Sequence, residues 1–137
     1  MVIDASVALA WCFPDEARDY AERVLVALEG RTMRVPSLWA VEISNALLVA
    51  ERRGRIKAAE IRQFLSLLDG LSITVDSLTP LECVGNLLPL ARTHGLSAYD
   101  AAYLDVAQRQ AAPLASLDRR LREAALRSGV ALFAAAR

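Results

Sequence analysis

The opening stretch, Met1-Val2-Ile3-Asp4-Ala5-Ser6-Val7-Ala8-Leu9-Ala10-Trp11-Cys12, decides the class of fold. Three apolar residues run straight into an acid, the pattern of a short buried strand. Ser6 is a good N-cap, and Val7 to Cys12 carry helical patterning. A strand that turns at once into a helix is the first half of a βα unit.

Working outward, the alternation continues. Pro14-Asp15-Glu16 opens a second helix, with acids in its first turn as the helix dipole prefers, and its apolar stripe is Ala21, Val24, Leu25 and Leu28, stopped by Gly30. Met33 to Val35 is a short strand, and Pro36-Ser37 starts a helix with Trp39, Ile43, Ala46, Leu47 and Ala50 on one face, ending in Arg52-Arg53-Gly54. Ile61, Phe64, Leu65 and Leu68 mark a fourth helix closed by Gly70, and Leu71 to Val75 reads as a strand. Pro80 opens a helix through Leu90, and Ser97 caps another from Ala98 to Gln110. Beyond the breaker Pro113, Leu114 to Leu117 is a strand ending at Asp118. An Arg-rich helix then runs to Arg127, Gly129 stops it, and Val130 to Phe133 is a last strand. Strands alternating with helices predict an α/β domain with a parallel sheet sandwiched by helices. No repeat, linker or low-complexity segment interrupts the pattern, so residues 1–137 are read as a single domain.

Composition agrees and narrows the chemistry. The 137 residues suit one domain, and 25 Ala and 22 Leu favour a largely helical core. Sixteen basic and sixteen acidic residues leave no bulk field that would advertise nucleic acid or an anionic membrane. All the basic residues but Lys57 are Arg, which grips phosphate through a planar fork. The longest apolar run, Val130 to Ala136, falls far short of the roughly 18 residues of a membrane span. No membrane association is expected, and without a signal-peptide pattern the cytoplasm is the expected compartment. Cys12, Cys83 and the lone His94 do not make a zinc site. His94, in the helix-ending Thr93-His94-Gly95, is a poor catalytic base, and six scattered glycines form no phosphate loop. What remains in quantity is carboxylate.

Ligands in open α/β sheets sit outside the carboxyl ends of the strands. Asp4 and Asp118 fall at such ends, while Glu42, between Val41 and Ile43, and Asp100, in Ser97-Ala98-Tyr99-Asp100-Ala101-Ala102-Tyr103-Leu104, sit inside apolar helical stretches. A charge there is costly unless paired or bound to metal, and four carboxylates brought together repel until some take up protons. A divalent cation resolves that conflict, and an all-oxygen set suits Mg²⁺ or Mn²⁺. Bland readings stand beside this one: Asp4 and Asp118 as helix caps, Glu42 as the partner of an Arg, Asp100 as a first-turn acid. Asp105, about 140° around the helix from Asp100, is expected to be a solvated acid. Tyr103, three residues after Asp100, is expected in the core or, as the alternative, at the pocket rim; Trp39 is expected in the core, and Trp11 in the core or a partner-binding groove.

Four segments together carry a resemblance: Val2-Ile3-Asp4-Ala5-Ser6, Pro36-Ser37-Leu38-Trp39-Ala40-Val41-Glu42-Ile43-Ser44-Asn45-Ala46-Leu47, Leu96 to Tyr103, and Leu114-Ala115-Ser116-Leu117-Asp118-Arg119-Arg120-Leu121. In this order and spacing the chain resembles the PIN-domain ribonucleases of the VapC type, the toxin halves of toxin–antitoxin pairs. The resemblance implies a PIN-like three-layer α/β/α sandwich around a mainly parallel sheet. It implies that Asp4, Glu42, Asp100 and Asp118 form an acidic metal pocket, with Asp4 and Asp100 the foremost Mg²⁺ ligands. Ser6, Ser116 and Asn45 would line that pocket. It further implies endonucleolytic cleavage of RNA, a cognate VapB-type antitoxin and a homodimer. Arg119, Arg120, Arg52, Arg53 and Arg55 are candidates for holding RNA phosphates.

Other readings compete. A PIN-like nuclease could process RNA outside any toxin–antitoxin pair. A phospho-acceptor receiver domain would want paired acids after its first strand and a late Lys, but Asp4 is followed by Ala5 and Lys57 is mid-chain. A binding module could work through an apolar groove on the helices of residues 6–30 and 38–70.

Overall fold

In the computed structural model, which describes residues 1–13 and 17–133, the apolar start becomes β1 (Val2–Ile3), both residues wholly buried. Its neighbours are β2 (Thr32–Pro36), paired Val2 to Arg34, and β4 (Leu114–Ala115), paired Val2 to Leu114 and Ile3 to Ala115. β3 (Ser72–Asp76) pairs along β2 from Thr32–Ser72 to Pro36–Asp76. All three pairings are parallel, and the order is β3-β2-β1-β4.

The helices follow from that order. α1 (Ala5–Ala10) and α2 (Arg18–Ala27) connect β1 to β2; α3 (Leu38–Arg52) and α4 (Ala58–Asp69) connect β2 to β3. Both crossovers step the same way across the sheet, so the right-handed rule puts them on one face. α5 (Pro80–His94) and α6 (Ala98–Arg109) carry the chain back over β2 and β1 to β4, and this reversed step puts them on the other. α6 accordingly packs against β1, β2 and β4, and against α5 and α7 (Arg119–Arg127), while α1 packs on α2 and α3. The expected α/β/α layering and parallel sheet are therefore present. Among the described residues no helix is long and apolar enough to cross a membrane.

Several boundaries differ from expectation. α1 begins at Ala5, because Asp4 and not Ser6 is the N-cap: its carboxylate accepts from the Ser6 amide. α5 passes Leu90 and ends at His94, where Gly95 takes the left-handed conformation (φ 63°) that closes helices. β4 stops at Ala115, since the Ser116 carbonyl accepts from the Arg122 guanidinium (2.9 Å) instead of joining a ladder. The expected strand at Val130 to Phe133 is reduced to a parallel bridge, Leu114 to Leu132. Leu65 is 51% exposed, so α4 meets the core chiefly through the buried Phe64. The expected opening of α2 at Pro14-Asp15-Glu16 lies outside the described residues.

Candidate active site

The strand order creates the site. From β1 the chain leaves toward one face of the sheet, and from β4, its neighbour, toward the other. Between such strands a crevice opens at their carboxyl ends, the usual ligand position in open α/β sheets. Asp4 ends β1, and Ser116 and Asp118 follow β4.

Asp4 is 5% exposed and fully engaged by hydroxyls. One carboxylate oxygen accepts from the amide and hydroxyl of Ser6, the other from the Ser116 hydroxyl. Both serines are themselves held by the loop after β4: Ser6 Oγ accepts from the Leu117 amide (3.1 Å), and Ser116 Oγ from the Asp118 amide (3.0 Å). Two small side chains thus stitch the turn after β1 to the turn after β4. Burial pushes the Asp4 carboxyl above its ordinary range; the serine hydrogen bonds pull it back, and the charge of Asp118 adds to the rise.

The other acids arrive from three helices. Asp118 caps α7, accepting from the Leu121 amide (2.8 Å), so its capping role is real, and its charge is felt at both Asp4 and Asp100. Asp100 stands in the first turn of α6, above the Ser97 cap, whose hydroxyl accepts from the Asp100 amide (3.1 Å). Its carboxyl is raised by burial first and then by Asp118 and Asp4, while Arg120 pulls it the other way. Glu42, half-buried on α3, is raised by burial and by the charges of Asp4 and Asp100, against a lowering hydrogen bond from Tyr103. The four candidate acids therefore act on one another, and among the described residues none of them forms an ion pair with Arg or Lys.

An unneutralised all-oxygen cluster is the donor chemistry of a hard dication. Among the described residues no three acid, His or Cys side chains converge tightly enough to hold an ion by themselves. An oxygen-only set of this kind suits a hard dication that is held by one or two carboxylates and keeps several waters.

The expected pocket-lining residues divide. Ser6 and Ser116 belong to the site by direct hydrogen bonds to Asp4. Asn45 is exposed and lines a separate cavity of about 280 Å³ with Phe13, Ala46, Val49, Ala50 and Arg55. Among the described residues it makes no hydrogen bond to the four acids, although it stands one turn beyond Glu42 on α3.

Three features escaped the sequence reading. Tyr103 is buried as expected, but its hydroxyl donates to Glu42 Oε1 (2.5 Å), a link hinted at only by its place one turn after Asp100. Arg122 braces the Ser116 carbonyl and lies over the Tyr20 ring (5.6 Å). Asp105 is not solvated: it is 6% exposed, and Arg109 Nε donates to it (2.9 Å). Trp11, half-buried, donates to the Ala21 carbonyl (2.7 Å), and Trp39 lies in the core.

Comparison with known proteins identifies the family and the fold. The family model described as PIN domain matches residues 1–126. The chain is 31% identical over 123 residues to Ribonuclease VapC3 of Pyrobaculum aerophilum, covering 90% of this chain and 92% of that one. The crystal structure of PAE2754 from Pyrobaculum aerophilum superposes with a TM-score of 0.68 at 26% identity, over 90% of this chain and 77% of that one. Two more distant structures share the fold. FitAcB from Neisseria gonorrhoeae has a TM-score of 0.60 at 18% identity, over 97% and 96% of the two chains. A toxin–antitoxin complex from Klebsiella pneumoniae has a TM-score of 0.56 at 14% identity, over 85% of each.

Proposed function

The chain belongs to the PIN-domain family, and on that premise we propose that it is a metal-dependent endoribonuclease of the VapC type, the toxin of a type II toxin–antitoxin pair. The observation that carries this reading is the cluster at the β1/β4 crevice: four mutually repelling carboxylates, none of them in an ion pair with Arg or Lys among the described residues. Residues 1–137 are taken as one PIN domain.

In this reading Asp4 and Asp100 would hold Mg²⁺, or Mn²⁺ in its place, with waters filling its remaining positions, and Asp118 and Glu42 would complete the acidic wall. Bound there, the ion supplies acidification of a water and neutralisation of charge building on a phosphodiester. The chain's own residues do the rest. Ser6 and Ser116 hold both oxygens of Asp4 in place, and the backbone amide of Leu121 orients Asp118. Glu42, raised by burial and then by the charges of Asp4 and Asp100, would orient or take a proton from the attacking water. Arg120, beside Asp100, and Arg119 project from the first turn of α7 and would meet RNA phosphates at the rim. Arg52 and Arg53 close α3 at the end away from Glu42, and Arg55 lies over the Phe13 ring, so these three would meet only phosphates remote from the acids. A VapB-type antitoxin is the expected protein partner. A homodimer would cover the exposed apolar stripe Leu81, Val84 and Leu88 on α5.

The test is cleavage of a mixed RNA substrate by the purified chain with Mg²⁺ and with EDTA. Cleavage should require the ion and be lost in Asp4→Asn and Asp100→Asn; full activity in both variants sinks the assignment.

A further inference from the structure

Glu42 and Tyr103 are 61 residues apart in the chain and lie on α3 and α6, which the crossover rule places on opposite faces of the sheet. They meet beyond the carboxyl ends of the strands, where the Tyr103 hydroxyl donates to Glu42 Oε1 at 2.5 Å. Tyr103 is 2% exposed, among the largest fully buried side chains, so its ring has no freedom to follow a mobile partner. Glu42 is only half-buried on a long, flexible side chain, and no other hydrogen bond to its carboxylate occurs among the described residues. A buried phenol whose one polar atom ends on a functional carboxylate is an anchor and not filler, since Phe would fill the same space.

We propose that Tyr103 is a positioning residue for the nuclease reaction: its rigidly packed hydroxyl holds the Glu42 carboxylate in the crevice beside Asp4 and Asp100. This rests on the nuclease reading above. The helix repeat ties the device together. Tyr103 lies one turn after Asp100 on α6, so one helix supplies an acid of the cluster and fixes the pose of another. It also bridges the two helical layers at the site, so an acid from α3 is referenced to the layer that carries Asp100.

The experiment is a double-mutant cycle on RNA cleavage with Tyr103→Phe, Glu42→Gln and the pair, with each protein's melting temperature measured. Tyr103→Phe removes one oxygen atom and keeps the ring. The expected result is a fall in kcat of about 10-fold or more, the scale seen when a partner that orients an active carboxylate is removed. KM for RNA should be unchanged and the melting temperature close to that of the parent. In the Glu42→Gln background the same change should cost little further, because the group it positions is already disabled. A residue that merely stabilises the fold would lose activity equally in both backgrounds. An unchanged kcat, a loss that appears in KM, an undiminished loss in the Glu42→Gln background or a Tyr103→Phe chain that does not fold each overturns the inference. If Asp100→Asn abolishes cleavage while Tyr103→Phe does not affect it, the positioning role falls and the nuclease stands. If the parent chain cuts no RNA, both fall.

Discussion

Two groups of acids sit at the carboxyl edge of this sheet, and they are treated in opposite ways. At the end of β3, Asp76 receives both terminal nitrogens of Arg109 (2.6 and 3.2 Å) and the Gln110 side chain (2.9 Å), while Arg109 Nε turns to the buried Asp105. There Arg109 holds the Asp76 carboxyl below its ordinary range, against the pull of burial. At the end of β1, Asp4, Glu42 and Asp100 form no ion pair among the described residues, Arg120 acts on Asp100 only as a nearby charge, and all three carboxyls are raised. The first group is a strut that ties β3 to α6, with both of its carboxylates ion-paired to one guanidinium inside the chain. The second leaves its charge unsatisfied, which costs folding energy and makes sense only if something from outside completes it.

The comparison can be broken at four points. The largest effect should follow Asp4→Asn or Asp100→Asn. Removing a proposed ion-holding carboxylate should cut RNA cleavage by more than about 100-fold, beyond the loss typical of an outer partner, with both proteins still folded; Asn at position 4 can still cap α1. Near-parental turnover by either variant would make the β1 acids ordinary.

Next, Arg109→Ala should destabilise the chain by about 2 kcal/mol in a urea melt. That is less than the ~3–5 kcal/mol of a fully buried pair, since the Arg109 side chain is 32% exposed. A melt that does not move would mean that Asp105 and Asp76 are solvated in solution.

Third, Glu42→Gln should raise ion-free stability, by less than Arg109→Ala lowers it, because it removes a charge that burial, Asp4 and Asp100 all disfavour, while the amide oxygen still accepts from Tyr103. A fall in stability would show that the cluster is not repulsive.

The smallest effect is in pH. Raised carboxyls contribute stability that is complete below their ordinary values, 3.8 for Asp and 4.5 for Glu, and is lost as pH rises through the raised ones. Asp76, lowered, contributes stability that is lost only as pH falls through its depressed value, below 3.8. Ion-free protein should therefore melt higher near pH 5 than at pH 8, and lower again in strong acid. Added Mg²⁺ should raise the melting temperature more at pH 8 than at pH 5, where protons compete for the same oxygens. A melting temperature that rises steadily from pH 5 to 8 without the ion contradicts the picture.

How much of this was legible beforehand depends on distance along the chain. Asp4 and Asp118 were readable because each closes a short apolar run and opens a helix, signals contained within a few residues. Asp100 was readable from the Ser97 cap before it. Ser6 and Ser116 entered through the family resemblance, and their hydrogen bonds to Asp4 account for their place. Asn45, which entered the same way, lies in another cavity. Asp105 was misread because helical angle says which residues face away from Asp100 but not what waits on the other side. Here that is Arg109, one turn on, bound to Asp76 from a different strand.

By itself, then, the sequence determined the alternation of strands and helices and the placing of acids at strand ends and helix starts, since periodicity, caps and breakers act over one or two turns. Only the tertiary structure decided which carboxylates are left to repel one another and which are ion-paired, and that Tyr103 reaches Glu42. Those outcomes depend on the strand order β3-β2-β1-β4, which brings Asp4 and Ser116, 112 residues apart, into contact and which no local pattern encodes.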